Sequence, residues 1–426
     1  MHQPDTKGPA TTPVMGWGVG AYMQGMMQVL KEDGADVATY LTRHYAHHPP
    51  SRVGSVQTMA QQPDPCVWMR KLRTELVVPM SIDWAQATWT KAFMETGIPI
   101  FSATGTAMLL ERERDFARRL CGHYQIPFPE SHMARNRLEA EAILAKRPLP
   151  FVIKNPLCSP TSPIHTIVCE TVEDTQSWLP HLDYAEGIFL QEYLGRAEAG
   201  HIALVSGGEI YPLVTNQEYK RAFNGNMGIV AGAPLGGLVQ QDPGDQYGLA
   251  RALLLPLLPW FRETRFHGPV QVTGARRRDR WEVLEYNVRL GVTCGPLILR
   301  MLRHPLQTLL DVAHNRKLDL QFRPEARYGC SLTLAGYGYP YTKVEGPRLP
   351  VRLEGAPDCD LWWNEVETGP NGAMMATGHR IADIDAVAAT LEDALAKAYA
   401  NIGRIRCLGS YHRTDIGDSL WPPGRP

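Results

Sequence analysis

Four short stretches between residues 150 and 287 carry side chains able to act together on a phosphorylated ligand. The run 150–154 (PFVIK) is apolar and ends in Lys154, and the run 281–287 (WEVLEYN) ends with Glu285 and Asn287 two apart. At β spacing both of these side chains leave one face of the strand, as two ligands of one metal must. Between them lie 189–194 (FLQEYL) and 216–221 (NQEYKR). A lysine can hold phosphate oxygens, while Glu and Asn oxygens suit Mg²⁺, a hard cation that bridges phosphates. Order and spacing together point to a nucleoside-triphosphate site. Each part also has an ordinary reading: a strand-end lysine is commonly a surface cap, and a half-exposed polar strand also yields Glu-x-Asn.

The elements that must position these residues follow from periodicity. Residues 14–30 read as a short strand, a turn with Gly16, Gly18 and Gly20, and an amphipathic helix. Such a turn either offers backbone N–H groups to an anion or simply packs tightly. The strand is short and no acidic residue follows at ribose spacing, which favours packing. Strands are expected at 75–85 and 97–104 with a helix between them, an alternation that implies a parallel sheet. From 106 to 123 the apolar residues Leu109, Leu110, Phe116, Ala117, Leu120 and Cys121 recur at helical spacing, with charges 111–115 mostly outward. A connecting strand at 126–130 and a helix at 138–146 come next. The segment 155–165 (NPLCSPTSPIH) reads as a loop. Residues 170–179 form a short helix with Thr171 as N-cap and Asp174 completing a capping box. A strand at 187–194 leads to a hairpin, 201–214, turning at Gly207 and Gly208. The glycine-rich run 220–237 reads as loop and 249–262 as helix. A second hairpin, 269–288, carries Arg276, Arg277, Arg278 and Arg280 at a solvated tip. Helices follow at 296–304 and on to 315. The tail offers strands at 330–338, 350–355 and 372–380 and an amphipathic helix at 386–402.

A chain of 426 residues is too long for one core. Its 43 basic and 44 acidic residues nearly cancel, so charge points to neither nucleic acid nor a membrane surface. Eight cysteines without a CxxC pair argue against zinc fingers and redox dithiols. The start lacks an apolar stretch, and no window holds about 18 apolar residues, so neither a secretory leader nor a membrane span is expected, and a reducing cytoplasm is the default.

Taken in order, these motifs resemble the phosphoribosylamine–glycine ligase family of the ATP-grasp superfamily over nearly the whole chain. The likeness rests on 97–104 (GIPIFSAT) followed by 111–130, on 150–154, 189–200 (FLQEYLGRAEAG), 216–221 and 282–291 (EVLEYNVRLG), and on 332–340, 374–381 and 411–417 (YHRTDIG) near the end. It implies an α/β and α+β multidomain fold: an N-terminal parallel α/β domain (1–105), linker helices (106–149), a small ATP-grasp subdomain acting as nucleotide lid (150–215), a large one with the metal site (216–325), and a mixed β/α C-terminal domain (326–426). It also implies roles. Arg114 and Lys154 fall on basic phosphate ligands, and Gln191, Glu192 and Leu194 on the hinge that reads adenine through backbone groups. Glu198 falls on the residue holding the ribose hydroxyls, and Glu285 and Asn287 on the metal ligands. Arg289 falls on the arginine that steadies the transferred phosphate, and Lys220 and Arg221 in the substrate loop.

The departures lie elsewhere. The family's glycine-rich phosphate loop is replaced by 155–165, whose Pro156, Pro160 and Pro163 lack amide donors. The N-terminal Arg-Glu pair becomes 16–23 (GWGVGAYM), Gly-Pro-Glu becomes 79–85 (PMSIDWA), Gly-Asp-Pro-Glu becomes 291–294 (GVTC), and loop aspartates become Asn224 and Asn226. The expectation is therefore an ATP-dependent carboxylate–amine ligase, working through an acyl phosphate with Mg²⁺ or Mn²⁺, whose acceptor differs from the family's. Its partners would be a small carboxylate, glycine or another amino acid, and an amine. The alternatives are a non-catalytic ATP-binding scaffold and the family's own reaction. Cys294, near the expected site, reads as an apolar filler.

Overall fold

The computed structural model describes residues 11–44, 47–158, 166–336, 338–341, 348–369 and 371–418. Residues 159–165, which include Pro160 and Pro163 of the expected loop, and the first ten residues lie outside them. Four parallel strands form the N-terminal sheet: β1 (Thr12–Trp17), β2 (Ala35–Leu41), β3 (Ser55–Thr58) and β4 (Leu76–Pro79), in the order β3-β2-β1-β4. β2 and β3 carry no signal recognised above. The expected third strand, 97–104, contributes only a bridge from Ile100 to Val77. Helix α1 (Gly20–Glu32) packs on this sheet, with α2 (Pro65–Leu72) and α3 (Thr90–Thr96). Trp17 locks α3 down through edge-on contacts to Trp89 and Phe93, with ring centroids 4.8 and 4.6 Å apart.

The glycine turn ahead of α1 proves to be packing. A Cβ at Gly16 would lie 2.3 Å from Met23 Cε, and one at Gly18 2.6 Å from Met80 Cβ. The buried N-terminus of α1 is capped across the molecule, where Ala21 N donates to Asn364 Oδ1 at 3.1 Å. That contact occupies the position an anion would take.

The expected helix 106–123 is two helices, α4 (Leu109–Arg112) and α5 (Arg114–His123), broken at Glu113 with φ −120° and ψ 107°. The break turns Glu111 inward to 4 % exposure, against the outward-facing expectation. Residues 126–130 form no strand; pairing begins at β5 (Ser131–Ala134). The small sheet then collects α6 (Arg137–Lys146), β6 (Phe151–Lys154), β7 (Ile167–Val168), α7 (Val172–Trp178) and β8 (Ile188–Glu192), with strand order β5-β8-β6-β7. Both halves of the capping box form on α7.

β9 (Glu198–Ser206) and β10 (Glu209–Glu218) make the hairpin through Gly207 and Gly208, whose φ values are 58° and 73°. The run 220–237 is not all loop: β11 (Arg221–Phe223) pairs with β12 (Met227–Val230), and β13 (Gly236–Gln241) joins the main sheet. Helices α8 (Leu249–Leu253) and α9 (Leu258–Glu263) precede the hairpin β14 (Gly268–Arg277) and β15 (Arg280–Asn287), and α10 (Gly295–Met301) and α11 (Pro305–Ala313) follow it. The tail adds β16 (Tyr328–Ala335), β17 (Leu349–Leu353), β18 (Asp360–Trp363), β19 (Val366–Thr368), β20 (Met374–Ala376), β21 (Arg380–Ala388), α12 (Leu391–Ile402) and β22 (Ile405–Arg406). Residues 386–388, expected as helix, end β21, and Thr390 caps α12.

One eight-stranded sheet, ordered β15-β14-β9-β10-β13-β16-β21-β18, runs through the large subdomain and into the C-terminal part. Sheet membership therefore departs from the expected boundaries. The small sheet begins at Ser131, ahead of residue 150, while β9 and β10 belong to the large sheet although 150–215 was assigned to the lid. Among the described residues no helix is long and apolar enough to cross a membrane. Because Asn364 caps α1 from a distant strand end, Asn364→Ala should cost about 1 kcal/mol, read as a lower urea midpoint for loss of helical signal; an unchanged midpoint would discard the cap.

Candidate functional site

The β15 strand is anchored by its core face. Tyr286 is buried and its hydroxyl donates to Leu253 O at 2.8 Å. Alternation then turns Glu285 and Asn287 to the other face, opposite Thr273 and Gln271 of β14. Lys220, just past β10, stands 3.1 Å from Glu285 Oε1, 3.3 Å from Glu198 Oε2 and 4.0 Å from Glu218 Oε2. Burial alone would lower this ammonium, but the three carboxylates outweigh it and hold it above its ordinary value. The same contact, with Lys154 and Arg114 adding to it against burial, holds the Glu285 carboxyl well below the usual range.

Arg114, at the start of α5, donates from Nε to Asn155 O at 2.9 Å and approaches Glu285 Oε2 to 3.7 Å. Lys154 reaches in from the small sheet, donating to Gln191 Oε1 at 2.6 Å and to Leu284 O at 3.2 Å. Burial, aided by the neighbouring Arg114 and Lys220 charges, lowers its pKa to about 7. Arg289 donates to Asn287 Oδ1 at 3.2 Å and to Glu111 Oε1 at 3.0 Å, while Val288 N donates to Glu111 Oε2 at 2.7 Å. Arg114, Lys154, Gln191, Glu198, Lys220, Glu285, Asn287 and Arg289 are thus gathered in one place.

The others are placed differently. The Glu192 side chain is taken by Arg277 at 2.5 Å, and its backbone N–H donates to Glu130 O at 2.8 Å. Arg277 also meets Glu282, so the arginine-rich tip is ion-paired as well as solvated. Leu194 lies half-buried in the extended link after β8. Arg221 points away from the cluster, pairing with Glu170 at 3.0 Å and Gly228 O at 3.0 Å, where it ties the β11 hairpin to the small sheet. The closing segment holds that hairpin from the other side. Arg413 pairs with Asp415 and donates to Arg221 O and Asn226 Oδ1, both at 3.1 Å, while its guanidinium lies 5.0 Å from the Tyr219 ring centre. Cys294 is buried, its thiol is pushed up by that burial, and Asn216 Nδ2 donates to its sulfur, which makes it a filler and not a nucleophile.

Sequence reasoning missed Glu111, which the charged run 111–115 disguises, and Asn216, Glu218, Gln271 and Thr273. A period-2 reading of 216–220 would have put Asn216, Glu218 and Lys220 on one side, where they line a common cavity. Glu285 and Asn287 supply hard oxygen donors, one of them held ionised, and so fit a divalent cation such as Mg²⁺ or Mn²⁺. Glu111→Gln removes the charge partner of a largely enclosed arginine and should cost about 3 kcal/mol in thermal or denaturant unfolding; a loss within the error of surface substitutions would show that Arg289 needs no such partner.

Residues 329–419 match the family described as Phosphoribosylglycinamide synthetase, C domain. The phosphoribosylamine–glycine ligase of Streptomyces coelicolor is 28 % identical over 357 residues, covering 81 % of this chain and 84 % of that one. That of Listeria monocytogenes is 26 % identical over 338 residues, covering 76 % and 80 %. Among solved structures, the phosphoribosylamine–glycine ligase of Thermotoga maritima superposes with a TM-score of 0.76 at 19 % identity, covering 95 % of this chain and all of that one. The biotin carboxylase domain of Hydrogenobacter thermophilus 2-oxoglutarate carboxylase gives 0.70 at 11 % identity, covering 95 % and 92 %. With the motif order, the C-terminal match and the shared architecture in agreement, the chain is similar to the phosphoribosylamine–glycine ligases over most of its length and shares their fold.

Proposed function

We propose that this chain is an ATP-dependent carbon–nitrogen ligase that joins a carboxylate to an amine, and that its substrates are the glycine and phosphoribosylamine named by its relatives. The observation that carries the reading is the convergence of Lys154, Arg114, Arg289 and Lys220 on the Glu285–Asn287 pair. A carboxylate oxygen attacks the γ-phosphorus of ATP and ADP departs; the amine then attacks the acyl carbon and phosphate leaves. A divalent cation held by Glu285 and Asn287 would neutralise charge on the phosphates. Lys154 and Arg114 bind phosphate oxygens, Arg289 steadies the transferred group, and Glu198 meets the ribose hydroxyls. Gln191, Glu192 and Leu194 read adenine, the last two through their backbone. Lys220 and Arg221 shape the substrate side, Arg221 through the hairpin it anchors. No side-chain nucleophile is needed.

A second reading, the same chemistry on a different acceptor, rests on segment 291–294. There a half-buried Val292 and a buried Cys294 stand where the resemblance expects acidic residues. The relatives' names favour the first reading.

The test is ADP release with glycine and phosphoribosylamine, with hydroxylamine to trap an acyl phosphate. The expected result is a hydroxamate that falls at least a hundredfold in Glu285→Ala. Hydroxamate with glycine but no product with phosphoribosylamine would select the second reading. ATP binding with no turnover on any pair would sink both. Lys154 supplies a further check. With its pKa at about 7 it is mostly neutral at pH 8 in the free protein. Polyphosphate beside it must raise that value, so binding takes up protons. Calorimetry in buffers of different ionisation enthalpy should show uptake at pH 8 that disappears in Lys154→Met. For the same reason the burden of burying this group is full below pH 7 and lifts as pH rises toward its ordinary 10.5.

A further inference from the structure

Beside the Lys220 cluster, β9, β10 and β14 enclose a cavity of about 10 Å³ whose polar walls include Asn216, Glu218, Gln271 and Thr273. Asn216, Gln271 and Thr273 are only 3, 2 and 4 % exposed. Asn216 gives its amide N–H to Cys294 Sγ at 3.5 Å, yet its Oδ1 has no partner, and neither has Thr273 Oγ1. Two orphaned buried oxygens on one small cavity call for a ligand, since such atoms are almost always paired. The backbone keeps them open. A Cβ at Gly200 would lie 2.3 Å from Asn216 Oδ1, and one at Gly291 would lie 2.9 Å from Glu218 Oε1 and 3.3 Å from Gln271 Oε1.

The lining selects the ligand's chemistry. Asn216 Oδ1, Gln271 Oε1 and the Glu218 carboxylate accept hydrogen bonds, and Thr273 can accept as well as donate. The one cation on the wall, Lys220, is directed to Glu198 and Glu285. The space holds about one heavy atom, so its occupant is a single-atom group rich in donors and neutral or positive. We propose that this cavity is an amine-recognition subsite, which receives the –NH₂ or –NH₃⁺ group of a substrate. The inference rests on the ligase reading, whose reaction has two amine sources: the amino group of an amino-acid carboxylate and the amine that is acylated.

The test uses the intact chain with Mg²⁺ and a non-hydrolysable ATP analogue, and reads binding of glycine, acetate and methylammonium by ligand-detected NMR. The expected outcome is glycine at least tenfold tighter than acetate, or specific methylammonium binding, with either preference reduced to below threefold in Thr273→Val and Gln271→Met. Methylammonium that competes with glycine assigns the pocket to the carboxylate substrate's amino group. Methylammonium that binds alongside glycine assigns it to the acylated amine. Glycine no tighter than acetate, together with no methylammonium binding, overturns the subsite and leaves a buried water as the occupant. So does a preference that survives in folded variants that still bind the ATP analogue. If both variants unfold, the wild-type preference alone decides. Binding needs no turnover, so the two readings fail separately: amine binding without any hydroxamate sinks the ligase and spares the subsite, and hydroxamate formation with unaltered variants does the reverse.

Discussion

The carboxylate of Glu285 is the charge around which this molecule is arranged. An ionised group in this half-buried position is held most readily beside compensating charge and hydrogen bonds. Lys220 stands 3.1 Å away and Arg114 3.7 Å away, and Lys154 binds the carbonyl of the preceding residue, Leu284. These cations come from the end of β10, the start of α5 and the small sheet. Meeting the charge of one residue therefore joins three separate parts of the chain. The same arrangement leaves a concentrated positive face, which is what a polyphosphate requires.

Around this centre, other long-range polar contacts fix the supporting pieces. Glu111 reaches from the break between α4 and α5 to hold Arg289 and the backbone of Val288. Arg413 and Asp415, near the far end, grip the hairpin that carries Arg221, with Gly225 N donating to Asp415 Oδ2 at 2.9 Å. Asn364 closes the N-terminus of α1. The bonds to Glu111, Arg413 and Asp415 are charge-assisted, strong and directional, and with the Asn364 cap they set the placement of elements that sheet pairing alone leaves adjustable.

The two sides of the site differ in how far they are satisfied. In the cation cluster, Lys154, Arg114 and Arg289 all have partners of their own, and only Asn155 Nδ2 beside them has none among the described residues. On the other side, Asn216 Oδ1 and Thr273 Oγ1 have none. Saturated cations can exchange one oxygen for another, whereas orphaned acceptors exist at a cost that only a donor relieves. The cation cluster is thus close to self-sufficient, whereas the small cavity beside it keeps acceptors that only a donor would satisfy.

Much of this was readable from the chain. The pairing of Glu285 with Asn287, the Gly207–Gly208 turn and the Thr171 capping box depend on neighbours two or three residues away, and local spacing determines them. The motif order was enough to indicate the architecture. What spacing could not show were the outcomes of distant contacts. Glu111 looked like one more charge on a solvated face until the kink at Glu113 turned it toward Arg289. The turn at Gly16–Gly20 read as packing with an anion site as the alternative, and Asn364 at the helix end decided it. Arg221 looked like a partner of Lys220 and faces Glu170 instead. Local order follows from backbone geometry and near neighbours, while the partner of a buried charge is chosen by whichever segment folding brings to it.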